Sequence, residues 1–526
     1  MGFSIFFFSN FFQNFLQHFL DIIASKKIFN ALFFSLHASS LHLATSTNPS
    51  RLNPLLATDS SSAEISEFIF NALVKYDKDS STIIGDLAQS FHFENPTTLI
   101  FKLRPNILWQ DGVKLSAKDV LFTYKLINSK DVVSPYTAEF RMVKSVEIVD
   151  EQTIKVVYKK PYFKALETWM MGILPEHILK NEKNLMSSSF NTHPIGSGAY
   201  KLTQLEHSKD IILSANPTYF FGKPKIDQII FHVIPDPMTR FLMLKSAKID
   251  VGNLEAMEYE RQLDKDFFVR FNKYEDIAHT YSYLGFNLRN KKFQDPRVRE
   301  ALSFAIDRDE LVKILFLGHG RVCTGPFLPT GLAFNKDVKA PKQNLQRAKE
   351  LLRAAGYDEK HPLTFEIATS NSSAIRPYAA QIMQYQLQKA GVHVSLRIME
   401  WQAFLNMVVF PRKFETVLLG WSLSSTPDPY LLWHSDNDKA GGFNFIGYHN
   451  KKVDRNIEMM QESVDTKALS KLWQSIFADI VADNAYLFLF IPNDITVANK
   501  KIKNITPSPS GIWYNYKDWQ IDLDQR

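Results

Sequence analysis

Residues 194–252 read PIGSGAYKLTQLEHSKDIILSANPTYFFGKPKIDQIIFHVIPDPMTRFLMLKSAKIDVG. Gly196 and Gly198 make a tight turn ahead of a strand, and Asn216-Pro217 and Gly222-Lys223-Pro224 mark two further turns. The β-rich run from Ile229 to Ile234 predicts another strand. A short helix ending at Ile249-Asp250 is expected next. The third glycine of a dinucleotide fingerprint is missing, and no acidic residue follows at the right distance after a strand, so these glycines serve a turn.

Upstream, Ser61 or Ser62 is expected to cap a helix with Ile65, Phe68, Ile69 and Leu73 on one face. Thr98 to Leu103 alternates as a half-buried strand. Asp111-Gly112 reads as a hairpin-type turn, and Ser116 with Asp119 as a capping box ahead of Val120, Leu121, Tyr124 and Ile127. Residues 145–160 predict two strands joined at Asp150-Glu151. Pro175 sits in the first turn of a short helix.

From about residue 277 the texture changes. A strand, a turn at Asp295-Pro296 and two helices are followed by a helix over Asn344 to Gly356. Strand Leu363–Ala368, helix Arg376–Ala390 with Gly391 as its stop, and strand Val392–Ile398 then form a β-α-β unit, which demands a parallel pair. Helix Trp401–Val409 and strand Phe414–Leu419 extend it. No internal repeat is present.

The 526 residues, 45% of them hydrophobic, suffice for two or three ordinary domains. A formal charge of +6, with lysines and acids interspersed, argues against nucleic acid as a partner. Cys323 is the single cysteine, so neither an intrachain disulfide nor a cysteine zinc site is possible. No nucleophile elbow, HExxH, phosphate-binding loop or EF-hand loop occurs. The 14 histidines are scattered, with no i, i+4 pair on a helix. No catalytic residue, metal site or cofactor is therefore expected.

Residues 1–44 differ from the rest, and eleven of the 42 phenylalanines fall before residue 37. Lys26-Lys27, the apolar run Ile28–Leu36 and the small residues Ala38-Ser39-Ser40 have the order of an export leader. Processing is expected after Ala38, Ser40 or Ala44. Residues 1–24 carry no Lys or Arg and read best as lying upstream of the start codon in use. The apolar run is too short to span a bilayer. Cys323 lies far from the N-terminus, so no lipid-anchoring cysteine is expected.

Several separated stretches stand in the order of one family: LNPLLATDSSSAEI, LRPNILWQDGVKLSAKDVLFTY, GSGAY, YLGFNLRNKKFQDPRVREALSFAIDRDELV and LLGWSLSSTPDPYLLWHS. From about 45 to 510 the chain resembles the bacterial extracellular solute-binding proteins of family 5, the peptide, dipeptide and nickel receptors of ABC importers. The resemblance implies an α/β, two-lobed, hinge-bending fold of the type II periplasmic-binding-protein kind, without enzymatic activity. It implies a targeting region over 1–44, a first lobe over 45–276 with an extra subdomain at about 66–185, a second lobe over 277–484, and a return to the first over 485–526. Crossings are expected near 275–280 and 484–492. The implied partners are a short peptide, or alternatively a nickel chelate, and a membrane permease; the receptor is expected to be a periplasmic monomer.

The resemblance also implies ligand contacts from Arg376 and from Trp421, Ser422, Ser424, Thr426, Asp428 and Tyr430. In peptide receptors of the family an Asp shortly after the Gly-Trp pair holds the ligand ammonium. Here Ser424 or Thr426 takes that place, and Asp428 is the next acid. Arg376 matches the region that holds a ligand carboxylate, for which a guanidinium fork is suited. Arg141, His434 and the altered 422–426 loop keep the nickel alternative open, and His449 lies near the same loop.

Overall fold

The computed structural model of the chain describes residues 39–522, apart from 80–81, 131, 133, 207–209, 374, 440 and 510. Lys26-Lys27, Ile28–Leu36 and Ala38 lie outside the described residues.

The run that opens on Gly196 and Gly198 becomes the antiparallel strands Tyr200–Gln204 and Ile211–Ala215, joined by Gln228–Val233. Ile211, Leu213, Ile229 and Phe231 are buried, so the period-2 pattern fixes which face meets the core. Ser40–Thr45 completes this four-stranded sheet at its edge. It pairs in parallel with Gln228–Val233 and buries Leu41 and Leu43. Ser39 ties the strand down through Asp227, and Asp250 accepts a hydrogen bond from the His42 amide.

A second sheet, in the order Ala88–Asn95, Thr98–Leu103, Thr153–Tyr158, Val143–Ile148, is antiparallel throughout. Helix Ala117–Ile127 packs on it with the expected capping box, the Ser116 amide donating to Asp119 at 2.8 Å. A larger sheet runs Val251–Leu254, Tyr486–Asn499, Thr280–Phe286, Thr416–Ser422, Thr364–Ser370, His393–Met399. Its last two strands are the parallel pair joined by helix Ile375–Lys389, with Gly391 in the left-handed region at φ +84° as the stop.

Hydrophobic side chains gather mainly into one core over residues 41–231, which also takes Ile502, Ile512 and Trp519, and two cores over residues 281–491. Strand Tyr486–Asn499 runs between these bodies. It gives Leu487 to Phe490 to the cores of the second body, and Ile495 and Val497 to a small cluster with Phe241, Leu244 and Phe267. The other passage is the turn between Phe271–Ile277 and Thr280–Phe286. Phe163 crosses between the bodies as a side chain. It comes from the first, yet is buried in a second-body core edge-on to Trp473.

Some local readings need correction. Helix Ser60–Ile69 is capped by Asp59, whose carboxylate takes the Ser62 amide at 2.8 Å, not by Ser61 or Ser62. It ends before Leu73, which is buried beyond it. The helix expected to reach Ile249-Asp250 is Pro237–Lys245. Ala247 at φ +58° turns the chain out, and Ile249 returns to the same apolar cluster. Trp401–Phe404 passes into a π-turn, Leu405–Val409, and the following strand lies later than expected, at Thr416–Ser422.

Candidate functional site

A cavity of about 980 Å³ opens between the two bodies, within the range of natural ligand sites. Its second-body wall is built on the end of strand Thr416–Ser422, where Gly420, Trp421 and Ser422 pair with Ser282, Tyr281 and Thr280. A Cβ on Gly420 would lie 2.8 Å from the Tyr281 carbonyl oxygen and 3.3 Å from Nη2 of Arg376. The glycine therefore lets the guanidinium lie close over the strand. Arg376 stands in the first turn of helix Ile375–Lys389, and its side chain has no hydrogen-bond or ion-pair partner among the described residues. Burial lowers its pKa, partly offset by Tyr283. A partly desolvated, unpaired guanidinium is a ready carboxylate site.

Trp421 belongs to an aromatic ladder. Its ring lies parallel to Phe445 at 5.9 Å and to Tyr283 at 6.3 Å, and Tyr283 lies on Tyr486 at 3.7 Å. The ladder fixes the indole while leaving it on the cavity wall.

Of the seven sequence-predicted contacts, the structure brings Arg376, Trp421 and Ser422 to this cavity. Ser424, Thr426, Asp428 and Tyr430 are not among its lining residues. Ser424 donates to the Thr426 carbonyl at 2.7 Å, and Asp428 accepts the Tyr430 amide at 3.0 Å, so both shape the loop. Tyr430 packs on His434. Thr426 reaches the other body: its hydroxyl donates to Glu167 at 2.8 Å and lies 3.1 Å from the Tyr76 hydroxyl. His434 is buried, with its Nδ1 accepting the Asp436 amide; His449 pairs with Asp438; Arg141 is exposed. Among the described residues, no group of three or more His, Cys, Asp or Glu is placed to hold a metal ion.

Sequence reasoning missed the opposite wall, where Asn253, Asn493 and Asp494 line the cavity. The signal was available: Pro492-Asn493-Asp494 interrupts an otherwise apolar strand. Beside this wall His319, behind helix Arg308–Phe316, meets Glu275 at 2.9 Å and Glu260 at 2.8 Å, clasping the two bodies. Although burial pushes the Glu275 carboxyl up, hydrogen bonds from Lys273, Asn493 and His319 bring its pKa down to about 2. A carboxyl depressed in the fold adds stability above its unfolded pKa and loses it as pH falls through the folded value. The whole depression would be worth about 3 kcal/mol, and solvent screening reduces this to about 1–2 kcal/mol. Acid denaturation is therefore expected to show a loss of that size between about pH 4.5 and pH 2. Glu275→Gln should remove that part of the acid limb.

Comparisons place this geometry among known proteins. The model for "Bacterial extracellular solute-binding proteins, family 5 Middle" matches residues 82–443. The oligopeptide-binding protein AppA of Bacillus subtilis is 31% identical over 492 residues, covering 90% of each chain. Its solved structure in complex with a nonapeptide superposes with a TM-score of 0.72 at 30% identity, covering 92% of this chain and 99% of that one. NikZ of Campylobacter jejuni in complex with Ni(L-His) gives a TM-score of 0.74 at 28% identity, covering 91% of this chain and 99% of that one.

Proposed function

The chain belongs to family 5 of the bacterial extracellular solute-binding proteins, and on that premise we propose that it is the binding receptor of an ABC importer that captures short peptides between its two bodies and hands them to a membrane permease. The observation that carries the peptide reading is the unpaired Arg376 guanidinium beside strand-end backbone in a large cavity. A peptide offers a carboxylate to the arginine and its own amides to the receptor, so affinity depends little on side-chain sequence. Closure follows from the ligand's higher affinity for the closed arrangement, with hinges at 277–280 and within Tyr486–Asn499. Binding and release without chemistry is the whole activity in this reading.

Similarity to the Ni(L-His) complex supports a second reading, a nickel chelate whose carboxylate would use the same arginine. Native mass spectrometry of protein purified from its own cells tests the two. Masses of short peptides support the first; a nickel isotope pattern replaces it with the second. Because Trp421 stands on the cavity wall, saturating ligand is also expected to shift tryptophan emission, and Trp421→Phe to lose most of that shift.

A periplasmic location after leader removal accompanies this function. Processing after Ala44 would delete most of strand Ser40–Thr45, with its buried Leu41 and Leu43. The exported protein is therefore expected to begin no later than Leu41, most favourably at Ser39, which holds Asp227. N-terminal sequencing checks this, and a chain starting at Thr45 would contradict it.

A further inference from the structure

Among the described residues that line the cavity, Arg376 and Asp494 are charged side chains with neither a hydrogen-bond nor an ion-pair partner, and they stand on opposite walls. Arg376 lies over Gly420 on the second body. Asp494 lies on Tyr486–Asn499, open to the cleft, and its carboxylate has no hydrogen-bond or ion-pair partner among the described residues. Asp276 stands directly opposite it in the antiparallel ladder, so two like charges face each other across neighbouring strands. Such a pairing is unfavourable without a cation to relieve it. Burial raises the pKa of both carboxyls; for Asp276 the facing Asp494 adds to the rise, while His279 moderates it at Asp494.

We infer that Asp494, backed by Asp276, is the cation-binding pole of the cleft, and that the ligand is a zwitterionic peptide of about four residues, its ammonium on Asp494 and its carboxylate on Arg376. This rests on the peptide reading above.

The length follows from strand register. Gly420 pairs with Ser282, which pairs with Phe490, so two strand spacings separate Gly420 from the strand carrying Asp494. Asp494 lies four residues farther along that strand. Two spacings of ~4.8 Å and four rises of ~3.3 Å put the two backbones about 16 Å apart. An extended tetrapeptide spans about 14 Å at ~3.4 Å per residue, and the two charged side chains reach inward over the remainder. A free amino acid or a dipeptide is too short to satisfy both poles. Asp428 is an unsuitable ammonium partner here, since its carboxylate caps the Tyr430 amide outside this cavity.

Calorimetry on extensively dialysed protein tests this with tetraalanine, its N-acetyl and C-amide derivatives, and dialanine. Wild type is expected to bind tetraalanine at least tenfold tighter than dialanine, and acetylation to weaken binding at least tenfold. Asp494→Asn should bind tetraalanine at least tenfold more weakly and lose less than threefold further on acetylation. Because the substitution relieves a like-charge pair, its melting temperature should equal or exceed that of wild type. Asp428→Asn should keep the full acetylation penalty. If Asp494→Asn also keeps it, the ammonium is held elsewhere, and the inference falls while the peptide reading stands. Dialanine binding as tightly as tetraalanine overturns the length. If nickel–histidine gives heat and no peptide does, both the inference and the peptide reading fall.

Discussion

Arg376→Ala is expected to weaken binding of a peptide with a free carboxylate by about 1.5–3 kcal/mol, roughly 10- to 100-fold, while leaving the fold intact. The guanidinium has no partner among the described residues, so its removal breaks no internal ion pair. It also relieves a desolvated charge, and the melting temperature should stay level or rise slightly, the usual exchange between site strain and stability. Amidating the ligand's C-terminus should cost wild type about as much as the mutation does, and cost the mutant little. Arg376→Lys should recover only part of the affinity, since a point charge cannot reproduce the planar fork. Gly420→Ala should imitate a milder form of the defect, because its Cβ would lie 3.3 Å from Nη2 of Arg376 and 2.8 Å from backbone. Equal losses for free and amidated ligands would show that the arginine packs rather than pairs.

Gly196→Ala and Gly198→Ala are each expected to destabilise the first body by about 3 kcal/mol or more, by forcing an atom into backbone that cannot yield. A Cβ on residue 196 would lie 1.9 Å from the Ile69 carbonyl oxygen, and one on residue 198 would lie 2.4 Å from that of Phe68. The neighbours are pinned. The Gly198 amide donates to Ile69 O at 2.7 Å, and Gln110 exchanges hydrogen bonds with Gly196 and reaches Tyr200 O at 2.8 Å. The turn is thus the joint where the end of helix Ser60–Ile69, the Gln110 segment and the first sheet meet. Gly112→Ala is the control. Its φ of +91° is strained for alanine, but nothing lies within 4 Å, so about 1 kcal/mol is expected. Thermal midpoints of the three variants check the order; equal shifts would remove the steric argument.

Sequence pattern disclosed the fold where local rules and tertiary packing agree. The Ser116–Asp119 capping box, the parallel pair around helix Ile375–Lys389 and the stop at Gly391 all follow from short-range chemistry. It failed where an apolar residue serves the same core from outside an element, as Ile249 and Leu73 do. The site was legible in part. Arg376 and Trp421 lie at a helix start and a strand end, positions that expose side chains to a cleft. Asp494 was not read, because its importance depends on a strand pairing with residues more than two hundred positions away. Thr426 carries a contact to Glu167 that no local pattern encodes.

The register between Ser40–Thr45 and Gln228–Val233 also sets a timetable. Ser39 and Asp227 are separated by 188 positions, so a chain emerging N-terminus first carries its opening strand without its mate until that distance has been paid out. Tyr486–Asn499, the strand common to both bodies, arrives later still. Contacts this remote delay closure, because the entropy of the intervening loop is lost before the pairing can compensate. A chain so wired stays unfinished until nearly all of it has been delivered, which, on the proposed export, is the condition in which a polypeptide can still be threaded through a membrane.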